Sequence, residues 1–289
     1  MNIVKIYGGL GNQLFQYAFG KLLEKKLNIS VKYDIQTEIT SKNLTKRNLD
    51  IEKFDIYLPS ASENEISNLI FFRKNILWRA ERKLAQKMPS IRANYIVQNN
   101  AHEILKDLKN NSYYDGYWQC YKYIDDVKDE LLKEVQSHAN FLISYESLIS
   151  QMKSCSSVSI HIRRDDYINI KVNNKLFEIC EFDYYKKAID LLKMKFKNIQ
   201  FFIFTQDKEW ARQNFVGENF HFVEGNSAID DMLLMSYCKH NIIANSTFSW
   251  WGAWLNKNSE KIVIAPKKWY KGKKNIQTDN LIPEEWIRI

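Results

Sequence analysis

From Ser156 onward, apolar and polar positions alternate in short blocks of two different periods. Val158, Ile160 and Ile162 recur at every second residue, the period of a strand, over VSIHI (158–162). FDYYKKAIDLLKMKF (182–196) has helical spacing, with Asp183 as its expected N-cap. IQFFIF (199–204) is continuously apolar, which suits a strand covered on both faces. TQDKEW (205–210) opens a helix, and FHFVEG (220–225) reads as a strand. AIDDMLLMSYCKH (228–240) reads as a helix and NIIA (241–244) as a strand. STFSWWGAWLNKN (246–258) reads as a helix and KIVIAP (261–266) as a last strand. This order predicts a doubly wound parallel sheet with its own core.

The N-terminal end carries a second such unit. NIVKIY (2–7) predicts a strand, GGLGNQ (8–13) a turn, LFQYAFGKLLEKKL (14–27) a helix and ISVKYD (29–34) a strand. Residues 35–60 read as loop, and 61–150 as mostly helical, interrupted by YYDGYWQCYKYI (113–124). The expectation is two α/β domains, 1–150 and 151–289, with the ligand site between them.

Composition changes this picture in three places. The four cysteines, Cys120, Cys155, Cys180 and Cys238, form no C-x-x-C pair and have no histidine at ligand spacing. Reduced thiols are expected, and no structural zinc. The stretch MNIVKIYGGLGNQ has neither the charge order nor the apolar run of a secretory leader, so a cytoplasmic protein is expected. The net charge of +8 favours an anionic partner. Part of it lies in residues 66–88, where Arg73, Lys74, Arg79, Arg82, Lys83 and Lys87 accompany Ile66, Leu69, Ile70, Ile76, Leu77 and Leu84. Two readings apply: a surface helix with one face in the core, or a basic amphipathic helix on an anionic membrane. No nucleic-acid motif is present, so the charge is not assigned to such a partner.

Three constellations carry candidate chemistry. In SIHIRRDDY (159–167), His161 shares a strand face with Ser159 and Arg163. Arg163 and Arg164 follow at the strand's carboxyl end, where open α/β sheets bind ligands. An arginine fixed there is a fork for phosphate oxygens. Asp165 and Asp166 stand beside it, and flanking arginines would oppose their holding a divalent cation. In IIANSTFSWWGAWL (242–255), a strand runs through Asn245 into Ser246, Thr247, Phe248 and Ser249 at a helix start, an anion site without a glycine loop. In GGLGNQ, Gly8, Gly9 and Gly11 allow close backbone approach, and Asn12 and Gln13 follow. With Asp34 as a ribose-binding acid, these glycines also support a nicotinamide-dependent oxidoreductase. The third glycine of that fingerprint is Leu14 here.

Taken together, GGLGNQLFQYAFGK (8–21), SIHIRRDDY (159–167), FFIFTQDKEW (201–210) and DDMLLMSYCKHNIIANSTFSWWGAWLN (230–256) resemble the α-1,2-fucosyltransferases of glycosyltransferase family eleven. APKKWY (265–270) and IPEEW (282–286) fit the same family's ending. The resemblance implies a GT-B-like enzyme built of two Rossmann-like domains facing a cleft. It would transfer L-fucose from GDP-L-fucose to the 2-hydroxyl of a galactose-terminated glycan acceptor, with inversion and without a metal. Arg163 would hold the β-phosphate and Arg164 would lie in the donor site. His161 would line the pocket, Asp231 would accept from guanine, and Ser246 to Ser249 would hold the diphosphate. Asn12, with Gly9 and Gly11, would sit near the reacting sugar, and Asp166 is the nominated base. Asp165 replaces the family's usual glycine, and Gln206 replaces an acid, so no base is expected at 206.

Overall fold

The computed structural model describes the chain apart from residues 36–47, 73–74, 89–92, 99–107, 136–138, 165–167, 169–170 and 273–277. The described residues divide into two compact units, one running to Val135 and the other from Gln136 to Ile289.

The first unit has a four-stranded sheet in the order β2-β1-β4-β3. Its strands are β1 (Asn2–Lys5), β2 (Val31–Asp34), β3 (Tyr95–Val97) and β4 (Tyr113–Asp115), and every pairing is parallel. The helix α1 (Leu10–Leu27) follows β1 and buries residues almost all round, including Gln13 and Gln16. Lys25 and Lys26 occupy its last turn, where cations suit the helix dipole, and Asn28 ends it in the left-handed region. Phe19 of α1 stacks on the buried Trp118 with ring centroids 4.3 Å apart. Within 61–150, β4 falls in the expected interruption at 113–124, whereas β3 was not expected, and residues 66–88 form no single helix. Instead α2 (Glu63–Ser67), closed by a capping box of Ser62 and Glu65, is followed by a separate α3 (Asn75–Lys87).

The second unit has a six-stranded sheet, β10-β9-β8-β5-β6-β7, again with parallel pairings. Its strands are β5 (Ser156–Ile162), β6 (Ile199–Thr205), β7 (Phe220–Val223), β8 (His240–Ile242), β9 (Val263–Ala265) and β10 (Ile287–Arg288). Val158, Ile160 and Ile162 point into one core, with Tyr185, Ala188, Ile189 and Leu192 of the helix Phe182–Lys195. That helix is preceded by Glu181 as N-cap residue; Asp183, the expected cap, lies in its first turn. On the other face the helices Ala228–Tyr237 and Thr247–Trp254 cross closely at Gly252. A Cβ there would stand 3.0 Å from Met235 Cβ and 3.3 Å from the Met232 carbonyl.

The helix Glu146–Ser154 packs against β5 and Ala228–Tyr237, so this unit begins at Gln136 rather than at residue 151. Two units, each with a parallel sheet, make the α/β, GT-B-like class expected from the sequence. Among the described residues no helix is long and apolar enough to cross a membrane.

Candidate active site

Strand β5 lies between β6 and β8, with its carboxyl end beside the β8–helix loop. That loop turns through Asn245, which is fully buried. Its amide donates to the Glu178 carbonyl (2.7 Å) and the Trp269 carbonyl (2.8 Å), and its Oδ1 accepts from Cys180 Sγ (3.5 Å). Two segments, 178–180 and the one at Trp269, are thereby tied to one side chain. The helix Thr247–Trp254 starts just above, with Ser246 as N-cap residue in extended conformation and no side-chain cap hydrogen bond. Its first turn carries the positive end of the helix dipole at the sheet's carboxyl edge.

His161 links the end of β5 to this helix, its ring lying 5.3 Å from that of Phe248. Arg163 follows two residues on, just past the end of β5. His161 is buried, and its Nδ1 has no hydrogen-bond partner among the described residues. Burial, and then the neighbouring Arg163 charge, lower its pKa to about 3. The ring is neutral at working pH and serves as a hydrogen-bonding group rather than a cation.

Arg164 is placed differently from Arg163. Its guanidinium lies 2.8 Å from Glu181 Oε2 and 3.5 Å from Asp207 Oδ2, with Cζ 4.2 Å from the Trp210 ring centroid. Asp207 in turn accepts from the Trp210 amide at the start of the helix Lys208–Asn214. Arg164 is thus clamped between two carboxylates and an indole, and fixes the direction in which the chain leaves β5. Ser249 is equally committed, since its buried hydroxyl lies 3.2 Å and 3.4 Å from the Ser246 and Ala244 carbonyls. Ser246 and Phe248 remain at the helix entrance, with Thr247 as the first helical residue. Asp166 lies outside the described residues, as does Asp165.

The pair Asp230–Asp231 separates into two roles. Asp230 closes a capping box with Ser227 at the start of the helix Ala228–Tyr237. Asp231 takes no part in it and accepts from Asn226 Nδ2 at 3.1 Å. Burial raises its pKa to about 6.

In the first unit, Gly8 has φ 87°, a conformation that suits glycine, and a Cβ there would meet Asn12 Nδ2 at 2.8 Å. Gly9 is the N-cap residue of α1, and Gly11 lies buried in its first turn. Asn12 Oδ1 accepts from Gln119 Nε2 at 2.9 Å. Gln13 is structural: it donates to the Gly8 and Asn48 carbonyls and accepts from the Ile51 amide. The ribose role considered for Asp34 does not fit its surroundings. It is buried in the sheet, and its carboxylate accepts from the Tyr113 hydroxyl at 2.7 Å.

The sequence reading passed over Asp115, Tyr7 and Tyr117 at the carboxyl end of this sheet. Asp115 is buried, accepts from the Tyr95 hydroxyl (2.9 Å) and Arg82 Nε (3.2 Å), and pairs with Lys5 at 3.6 Å. The rings of Tyr7 and the exposed Tyr117 lie 4.7 Å apart. The only signal in the sequence was the aromatic density of YYDGYWQ.

The whole chain, residues 1–289, matches the profile described as Glycosyl transferase family 11. The chain belongs to glycosyl transferase family 11. An Escherichia coli "Alpha-1,2-colitosyltransferase" is 33% identical, covering 99% of this chain and 98% of that protein. The Escherichia coli "O-antigen biosynthesis glycosyltransferase WbnK" is 32% identical, with 98% of each covered. The rat "Galactoside alpha-(1,2)-fucosyltransferase 2" is 23% identical over 49% of this chain and 43% of that protein. Among solved structures, NodZ α-1,6-fucosyltransferase soaked with GDP-fucose aligns with 88% of this chain and 91% of its own. Its identity is 15% and the TM-score 0.49. The family 11 protein is therefore a glycosyltransferase, and the nicotinamide reading is set aside.

Proposed function

We propose that this family 11 enzyme transfers L-fucose from GDP-L-fucose to the 2-hydroxyl of a terminal galactose, with inversion and without an essential metal. The glycan made would be an O-antigen or another surface polysaccharide. The observation that carries the reading is the arrangement at the carboxyl end of β5. At that edge the helix Thr247–Trp254 begins, His161 packs on its Phe248, and the charge of Arg163 acts on the His161 ring.

Departure of GDP from the sugar leaves new negative charge on the β-phosphate. Fixed positive charge at that point stabilises the departing group more than the intact donor, which lowers the barrier. Arg163 supplies a fixed positive charge, and the helix entrance supplies backbone dipoles. His161, neutral and buried, lends a ring nitrogen to a donor hydroxyl or phosphate oxygen. Asp231 accepts from the base's N1–H and N2–H₂ groups, which requires its ionised form. Arg164 acts as a positioning residue, holding the segment that carries Arg163.

As the acceptor oxygen bonds to the anomeric carbon, its proton must pass to a base. Asp166 is the nominee, on the sequence alone. Asn12, fixed by Gln119 over the Gly8 turn, is assigned to the acceptor side.

A second donor is favoured by a specific finding. The 33% identical relative spanning 99% of this chain is named for colitosyl transfer. A mass-spectrometric assay with galactose-terminated disaccharides, in excess EDTA, separates the two. Addition of a fucosyl mass supports the reading given. Addition only from nucleotide-activated colitose moves the protein to the second donor with the same site. Transfer that appears only when divalent metal is restored contradicts the metal-free mechanism.

A further inference from the structure

The helix α3 is built inside out. The face it turns to the sheet of the first unit is largely polar, spaced i, i+3, i+4, i+7. Trp78 donates to the Tyr95 hydroxyl (3.1 Å), Glu81 accepts from the Phe71 and Phe72 amides (3.0 and 2.9 Å), Arg82 pairs with Asp115 (3.2 Å), and Ala85 is buried. Its large aliphatic residues face outward. Ile76 is 78% exposed, Leu77 48%, Leu84 37% and Met88, just past the helix end, 49%, with Phe71 at 67% beside them. Ile76, Ala80 and Leu84 follow at i, i+4 and i+8, which places them in one row. Arg79, Lys83 and Lys87, all exposed, follow at the same interval in a neighbouring row.

A surface helix of a globular protein normally shows the opposite order. Large apolar groups gathered on one exposed stripe mark a contact surface. The flanking row decides its kind. Apolar side chains that can enter the headgroup boundary, bordered by three cations in register, complement an anionic lipid bilayer. A second copy of this chain would have to set the same cationic rows against each other across a twofold axis, which opposes pairing.

We propose that α3, with Phe71 and Met88, is a docking surface for anionic membrane, lying in the interface plane and holding the first unit at the bilayer. The inference does not depend on which sugar the enzyme transfers. It implies that the acceptor is met at a membrane surface, as a lipid-linked glycan would be.

The test is flotation of the full chain with vesicles of phosphatidylcholine alone and with about a third phosphatidylglycerol, at low salt. Wild-type protein is expected to float with the anionic vesicles and to remain in solution with the neutral ones. Lys83→Gln/Lys87→Gln should weaken the partition about 25-fold, at about fivefold per charge removed. Ile76→Asp/Leu84→Asp should reduce it more than tenfold. Transfer to a soluble acceptor and the melting temperature should stay at wild-type values in both variants, which separates loss of docking from loss of folding. Wild type that stays in solution with anionic vesicles overturns the proposal. So does equal flotation of wild type and Ile76→Asp/Leu84→Asp, which would trace binding to overall charge. A concentration-dependent dimer, dissociated by Ile76→Asp/Leu84→Asp and indifferent to vesicles, would assign the face to a second copy and overturn it too.

Discussion

Arg163 and Arg164 are neighbours in sequence with different tasks, and burial of the groups around them decides which task each has. Arg164 is anchored by Glu181, Asp207 and the Trp210 ring, while the charge of Arg163 acts on the buried His161, whose ring packs on Phe248. Two titrations follow at this scale. His161 has a folded pKa of about 3 against about 6.5 when unfolded. Between these values the unfolded chain binds a proton that the folded one refuses. Stability contributed by the neutral ring is therefore complete above about pH 6.5 and is lost as pH falls toward 3. The loss is at most about 1.4 kcal/mol per pH unit. Urea melts between pH 7 and 5 should show the decline, and His161→Asn should flatten it.

Asp231 has the opposite displacement, up to about 6. If its carboxylate receives the guanine donors, GDP affinity falls as pH drops from 7 to 5. Calorimetric titration should find that slope in wild type and lose it in Asp231→Asn, together with most of the affinity for guanine over adenine nucleotides.

At the scale of elements, periodicity was sufficient where burial is simple. β5, β6, β7, β8 and β9 appear where apolar runs predicted them, since each lies in a sheet packed by helices. β10 and β3 were not legible. The first is two residues long and exists because Ile287 and Arg288 pair with β9; the second, Tyr95–Val97, is three residues in a polar context. The stretch 66–88 misled for a different reason. Apolar positions at helical spacing ordinarily face a core, but only Ile66, Leu69 and Ile70 do so, and α3 turns Trp78, Glu81, Arg82 and Ala85 inward instead. The tryptophans of SWWGAW are part of the core. Trp250 and Trp251 are fully buried, and Trp250 Nε1 donates to the Leu281 carbonyl at 2.8 Å. Gly252 in that helix has no room for a side chain because Met235 and the Met232 carbonyl lie against it. Gly252→Val should cost about 1–3 kcal/mol of stability, read as a lowered melting temperature, by forcing the two helices apart.

Across the molecule, one chain of glycosyl transferase family 11 carries two units, each built on a parallel sheet. The second unit carried most of the motifs from which function could be read. They sit where a doubly wound sheet exposes its strand ends, so residue type and position agreed. The first unit was legible only at the GGLGNQ turn. Its other groups, Asp115, Tyr117 and Gln119, come from the one stretch YYDGYWQ, and what no local pattern encodes is their meeting Lys5, Tyr7 and Asn12 respectively.

The net charge of +8 belongs to this scale as well, favouring both an anionic donor and an anionic surface. The central claim is that Arg163, at the carboxyl end of β5, seats the diphosphate of the donor. The most direct measurement is calorimetric binding of GDP and GMP, in EDTA, to wild type and Arg163→Ala. The account predicts that GDP binds without metal and GMP far more weakly. Arg163→Ala should lose about 10- to 100-fold in GDP affinity, the worth of one charge-assisted phosphate contact, with little change for GMP. Equal affinity for GDP and GMP, or an Arg163→Ala protein that binds GDP as wild type does, would contradict it.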